Sequence, residues 1–278
     1  MDNAHSIPRL IASDIDGTFL DPNHRVNQRT RDVVMRAVAA GAHFALATGR
    51  PHRWISPVLR QIPLRPLCVT ANGAVIYDSA ADAVVQAHEL APEVMAEVAE
   101  IAFTAMARYG GIALAAERAG TSANDPLESL FVVDYTYSEN PNFDGFGVMS
   151  SEEVVAEPAV KLLLRNLDFS APELYSIIAP HVDPELAHVT FSMNEGILEI
   201  AAPGITKATG LEWLARHYGV AQADTIVFGD MPNDIEMIRW AGRGVAMGNA
   251  APNVKEAADE VTAANHEHGV AQVLERWF

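Results

Sequence analysis

"LIASDIDGTFLD", residues 10–21, runs from a short apolar stretch into three aspartates within eight positions. An apolar run that stops at an acidic residue reads as a buried strand reaching a polar edge. Residues two apart on a strand point the same way, so Asp14 and Asp16 share one side of its tip, and Gly17 lets the chain turn. Two carboxylates about 4 Å apart, at an effective dielectric near 20, repel by roughly 4 kcal/mol. A fold that brings them together therefore needs a positive element between them. An oxygen-ligated dication supplies it; Mg²⁺ prefers a couple of carboxylates together with water and a phosphate oxygen.

The same pattern recurs along the chain. "RLIASD" (9–14), "AHFALATG" (42–49), "LCVTANG" (67–73), "TIVFGD" (225–230) and "GVAMGN" (244–249) each end on a polar or glycine-bearing residue. Helix-period stretches at 28–41, 206–219 and 233–242 lie among them. Buried strands alternating with helices predict an α/β fold, a doubly wound parallel sheet of Rossmann type. Ligands of such sheets gather at the carboxyl ends of the strands, where Asp14, Thr48, Asn72, Asp230 and Asn249 fall. "FGDMPND" (228–234) forms a second acidic strand end, with Asn233 and Asp234 opening the next helix.

The alternation breaks after residue 84. A helix over 92–109, strands around 111–117, 130–137 and 159–166, and a helix near 171–180 predict an α+β domain at 85–193, inserted into a core of 1–84 and 194–278 whose chain resumes near "GILEIAAPG". The loops "RAGTSANDPLES" and "YSENPNFDGFG" are turn-rich. This inserted segment holds −13 of the formal net charge of −17. So acidic a chain does not suit nucleic acid, which demands clustered Lys and Arg. No apolar run reaches the length of a membrane span, and the N-terminus does not read as a signal peptide. The single cysteine, Cys68, reads as a small buried hydrophobe. These features predict a cytoplasmic protein; a monomer or homodimer is expected.

"DIDGTFLD", "LATGR", "GITK" and "GDMPND", in that order, resemble the four motifs of haloacid dehalogenase superfamily phosphatases. With "TANGAVIYD" (70–78), "AMGNA" (246–250) and "TAANHEHGVAQVL" (262–274), the resemblance is closest to the Cof-type hydrolases, in which a large cap is inserted between the second and third motifs. The resemblance implies that Asp14 is the nucleophile that forms an aspartyl-phosphate. It implies that Asp16 is general acid for the leaving alcohol and then general base for water, a residue that dehalogenase members lack. Mg²⁺ is implied at the Asp14 carboxylate, the Asp16 backbone carbonyl and Asp230, with Asn233 or Asp234 orienting bound water. Thr48 and Lys207 would face phosphoryl oxygens. Gly49, Arg50, Asn72 and Gly73 are the substrate-binding candidates, although Arg50 reads equally as the partner of a carboxylate. The implied substrate is a small phosphorylated metabolite, a sugar phosphate or a cofactor-related phosphate, selected by the cap. A phosphomutase or phosphotransferase of the same superfamily, or a non-catalytic phosphometabolite-binding protein, are the alternatives.

Lys207 opens a helix, where the macrodipole disfavours a cation, and that favours a functional role. Lys161 and Arg165 share a strand face; they suit a leaving-group pocket, and suit salt bridges with the surrounding carboxylates better. Asn249 reads as support for the metal-binding loop. His266 and His268 read as solvated surface rather than as zinc ligands. Phe19, Trp54 and Trp240 read as packing residues.

Overall fold

A computed structural model describes residues 7–138 and 145–278. The first six residues and the centre of the turn-rich loop "YSENPNFDGFG", at 139–144, lie outside the described residues. The strands in chain order are β1 (Leu10–Ser13), β2 (His43–Ala47), β3 (Leu67–Thr70), β4 (Val75–Asp78), β5 (Ala83–Ala87), β6 (Ala113–Glu117), β7 (Phe131–Asp134), β8 (Gly147–Met149), β9 (Lys161–Ser170), β10 (His188–Thr190), β11 (Glu195–Ala201), β12 (Thr225–Gly229), β13 (Arg243–Ala246) and β14 (Glu260–Val261). Their contacts divide the chain into two compact units, 1–82 with 206–278, and 83–205.

In the first unit the strands lie in the order β14-β13-β12-β1-β2-β3-β4. Pairing is parallel from β14 through β3. The sheet is mixed rather than purely parallel, because β4 returns antiparallel to β3. Only the short turn at Ala71–Gly73 joins these two strands, and so short a link permits a hairpin but no crossover. All four residues of β1 are buried, as a central parallel strand covered on both faces requires. Each buried leucine or isoleucine there contributes about 2 kcal/mol. The helix Gln28–Ala39 starts where the Asn27 side chain accepts from the Thr30 N–H at 3.0 Å. The helix Lys207–Tyr218 ends on Gly219 in the left-handed conformation. Phe19 packs as expected, its ring 5.4 Å from that of Phe44.

The second unit holds a sheet ordered β10-β11-β9-β6-β7-β8. Alternation along its strands separates two faces. One face carries Leu114, Ala116, Leu162, Leu164, Leu198 and Ile200 against Met95, Val98 and Ala102 of the helix Pro92–Met106 and Leu174 and Ile178 of the helix Ala171–Ile178. The other carries Ala113, Ala115, Phe131, Val133 and Tyr137. The segment from 194 to 205, expected in the core, groups with this unit. β11 pairs antiparallel with both β9 and β10, and Leu198 and Ile200 complete the apolar face. On the opposite face Lys161 forms a buried ion pair with Glu199 at 2.6 Å. The Arg165 guanidinium lies 4.8 Å over the Tyr137 ring and donates to the Tyr137 carbonyl.

Candidate active site

β13, β12, β1, β2 and β3 are consecutive and parallel, so their carboxyl ends form one edge. Asp230, Asp14, Thr48 and the Ala71–Gly73 turn follow directly on β12, β1, β2 and β3. Asp14 continues the ladder, its N–H donating to the Phe228 carbonyl at 2.9 Å. The chain then wraps tightly: the Phe19 N–H reaches back to the Asp14 carbonyl and that of Leu20 to Ile15. Gly17 makes this possible at φ +77°, and a Cβ there would stand 2.2 Å from Asp230 Oδ2. Glycine is thus required by both conformation and space.

Three carboxylates meet beneath this loop. Ligand oxygens of Asp14, Asp230 and Asp234 all lie within 4.8 Å of one another, and all three residues are buried. Lys207 enters from the start of its helix and places Nζ 2.6 Å from Asp14 Oδ1 and 2.6 Å from Asp234 Oδ1. These two bonds account for a cation at the wrong end of a helix dipole. Burial opposes the charge on Lys207, but Asp14 and Asp234 overcome it and hold the ammonium above its ordinary value. Burial drives the Asp14 carboxyl well above the usual carboxylate range, against the pull of Lys207. Burial, reinforced by Asp234, pushes Asp230 up to about 7.

Three buried carboxylates against one buried ammonium leave two negative charges uncompensated, an arrangement that a dication relieves. Asn233 Oδ1 adds a buried acceptor without a hydrogen-bond partner, which suits a metal-bound water. The residues therefore fit a divalent cation. Asp234 Oδ1 accepts from Lys207, while Oδ2 accepts from the N–H groups of Asp230 and Met231, each at 2.9 Å. It is engaged at both oxygens by the protein itself.

The surrounding groups are held in turn. Thr48 Oγ1 accepts the Arg50 N–H at 3.1 Å, leaving its own proton to donate. Gly49 lies between them at the end of β2. Asn72 sits in the left-handed region at φ 56° and accepts from Asn233 Nδ2 at 3.0 Å. Gly73, at φ +100°, passes so close to the Thr206 carbonyl that a Cβ would clash at 2.0 Å, which brings the third strand end against the start of the Lys207 helix. Asn249 Nδ2 donates to the Gly17 carbonyl at 2.8 Å. Arg50 grips Asp16 with two bonds, Nε to Oδ2 at 2.6 Å and Nη2 to Oδ1 at 2.5 Å.

Two residues that the motif pattern did not single out also belong here. Thr18 Oγ1 donates to Asp230 Oδ1 at 2.8 Å, and Asn265 Nδ2 to the Leu20 carbonyl at 2.7 Å. A hydroxyl directly after the Gly17 turn was the available signal for Thr18, and the stretch "TAANHEHGVAQVL" was the signal for Asn265. Trp54, expected to pack, is 52% exposed, with the Arg53 guanidinium 4.8 Å over its ring; it ends a short surface turn, His52–Trp54. His266 is exposed, whereas His268 Nδ1 is bonded to Asn27 Nδ2 at 2.5 Å.

Residues 11–274 match the family model of the haloacid dehalogenase-like hydrolases. A 5-amino-6-(5-phospho-D-ribitylamino)uracil phosphatase of Bacillus subtilis is 28% identical over 279 residues, 98% of this chain and 98% of the relative. An HMP-PP phosphatase of Serratia proteamaculans is 30% identical over 275 residues, 97% and 95% of the two chains. Among solved structures, a haloacid dehalogenase-like hydrolase from Bacteroides thetaiotaomicron is 27% identical, with a TM-score of 0.72 over 98% of this chain and 100% of the other. The chain therefore belongs to the haloacid dehalogenase-like hydrolases, in their Cof-type branch, and is a phosphatase working through aspartyl-phosphate chemistry. Among the described residues no helix is long and apolar enough to cross a membrane.

Proposed function

We propose that this chain is a Mg²⁺-dependent phosphomonoester hydrolase of small phosphorylated metabolites, with Asp14 as its nucleophile. The observation that carries the reading is the buried group of Asp14, Asp230 and Asp234 around the Lys207 ammonium. Asp14 attacks phosphorus as the bond to the leaving oxygen breaks, and the Asp16 carboxyl gives that oxygen its proton. Water then attacks the aspartyl-phosphate, Asp16 takes a proton from it, and the Asp14–phosphorus ester opens to release phosphate. In this reading Lys207 and the Thr48 hydroxyl stabilise charge on the phosphoryl oxygens. The metal, when bound by Asp14, Asp230 and the Asp16 carbonyl, supplies the charge that lets an anionic nucleophile approach an anionic phosphate.

The substrate class of this reading is a sugar phosphate or a cofactor-related phosphate. One relative is named for a phosphorylated ribitylaminouracil, which supports a small phosphomonoester. A cytoplasmic location fits Cys68, which is buried, outside any disulfide, and pushed by burial up to about 12.

Phosphate release from a panel of phosphorylated metabolites, with Mg²⁺ and with EDTA, tests the proposal beside an Asp14→Asn control. Metal-dependent release that disappears in the variant is expected. Transfer of the phosphoryl group to a second hydroxyl, without free phosphate, would turn the reading to a mutase or phosphotransferase. Binding without turnover would turn it to a binding protein.

A further inference from the structure

The Arg50 guanidinium is committed within the protein. Nε and Nη2 grip the two oxygens of Asp16, and Nη1 donates to the Trp54 carbonyl at 3.4 Å. Its backbone is fixed on both sides, the N–H on Thr48 Oγ1 and the carbonyl on the Ala71 N–H at 2.9 Å. Asp16 is very different from Asp14: its side chain is 49% exposed, whereas Asp14 is buried among charged neighbours. A half-exposed aspartate on a loop samples several rotamers, and a two-bond fork removes that freedom. An ion pair so open to solvent adds little stability, which leaves orientation as its main effect.

We propose that Arg50 is a positioning residue for the proton-transferring carboxyl of Asp16 and not a ligand of the substrate phosphate; this rests on the reading of Asp16 given above. When Asp16 is protonated, its carbonyl oxygen keeps one guanidinium bond while the hydroxyl faces the leaving oxygen. The proton moves to that oxygen as the phosphorus–oxygen bond breaks, and the second guanidinium bond re-forms on the carboxylate. Arg50 thus acts through Asp16 and matters in proportion to how far the leaving group needs a proton. A phosphate ligand would matter equally for every phosphomonoester.

The test compares kcat/KM of the full chain with Mg²⁺ on a primary alkyl phosphate and on p-nitrophenyl phosphate, whose phenolate departs without protonation. Arg50→Ala should lose about 10²-fold on the alkyl ester, as for removal of a general acid, and under about threefold on the aryl ester. Asp16→Asn should show the same selectivity, and the double variant should lose no more than the larger single loss, because both remove one function. Arg50→Lys keeps the charge without the fork and should recover only part of the alkyl activity. Equal losses on both esters for Arg50→Ala, or additive losses in the double variant, would overturn the proposal while leaving the role of Asp16 intact. An Asp16→Asn variant that treats both esters alike would instead overturn the reading of Asp16 itself, and the proposal with it.

Discussion

Lys207 and Asp234 lie 27 positions apart in the chain and 2.6 Å apart in the fold, Nζ to Oδ1, with neither side chain more than 1% exposed. Through its second oxygen Asp234 also holds the backbone N–H groups of Asp230 and Met231. One carboxylate thus fixes both the ammonium and the loop that presents Asp230.

Asp234→Asn tests this directly. The amide keeps the shape but weakens the grip on Lys207, whose remaining carboxylate is Asp14. Removing one partner of a buried pair costs about 3–5 kcal/mol, and retained bonding through the amide oxygen should reduce this to about 2–3 kcal/mol. Urea denaturation with and without Mg²⁺ measures it. A loss below about 0.5 kcal/mol, the range of an ordinary surface substitution, would mean that Asp234 has no such role.

The buried carboxylates set a pH dependence in protein stripped of divalent cations. Asp230, raised to about 7 in the folded state, keeps its proton where the unfolded chain has lost it. The folded state therefore binds more protons between about pH 4 and 7, and stability falls as pH rises through that window. Asp14, also raised, acts in the same direction. Lys207 is raised above an already high value and stays charged throughout, so it contributes no slope here. The Asp230 part is on the order of 4 kcal/mol. Chemical denaturation at several pH values in EDTA should show wild type losing stability relative to Asp230→Asn across the window. Parallel curves would sink the assignment.

Gly17→Ala places a methyl group against the Asp230 carboxylate and a side chain in the left-handed region. Strain of that backbone alone costs about 1–3 kcal/mol. Displacing Asp230 should also abolish the rise in melting temperature on adding Mg²⁺. A variant with the same Mg²⁺-induced rise as wild type would show that the loop tolerates the methyl group.

The second unit carries its own buried ion pair, Lys161 with Glu199. Lys161→Met takes the ammonium away from Glu199 and should destabilise by about 3–5 kcal/mol, whereas replacing both residues with apolar side chains should restore most of that loss. Thermal or urea melts of the two single variants and the double complete the cycle. Equal destabilisation by the double and single variants would show that the pair is no simple structural bridge.

The sequence by itself determined the strand tips. An apolar run ending in Asp14, Thr48 or Asp230 is a local pattern, governed by burial and by the period of the strand, and parallel pairing then brings these ends to one edge. Lys207 at the head of a helix was legible for a related reason, since a cation there opposes the dipole. Partners were not legible. Lys207 meets Asp234, Arg50 meets Asp16, and Thr18 meets Asp230 because separate loops converge in space, and side-chain bonds across that gap leave no periodic trace in the chain. The apolar run of β11 fits either sheet by composition, and only its pairing with β9 and β10 decides that it belongs to the second unit. Trp54 shows the same limit from the opposite side: hydrophobicity favours burial, but the residue ends a short surface turn and stays 52% exposed beneath the Arg53 guanidinium. Local chemistry chose the residues at the sheet edge; tertiary convergence chose which of them touch.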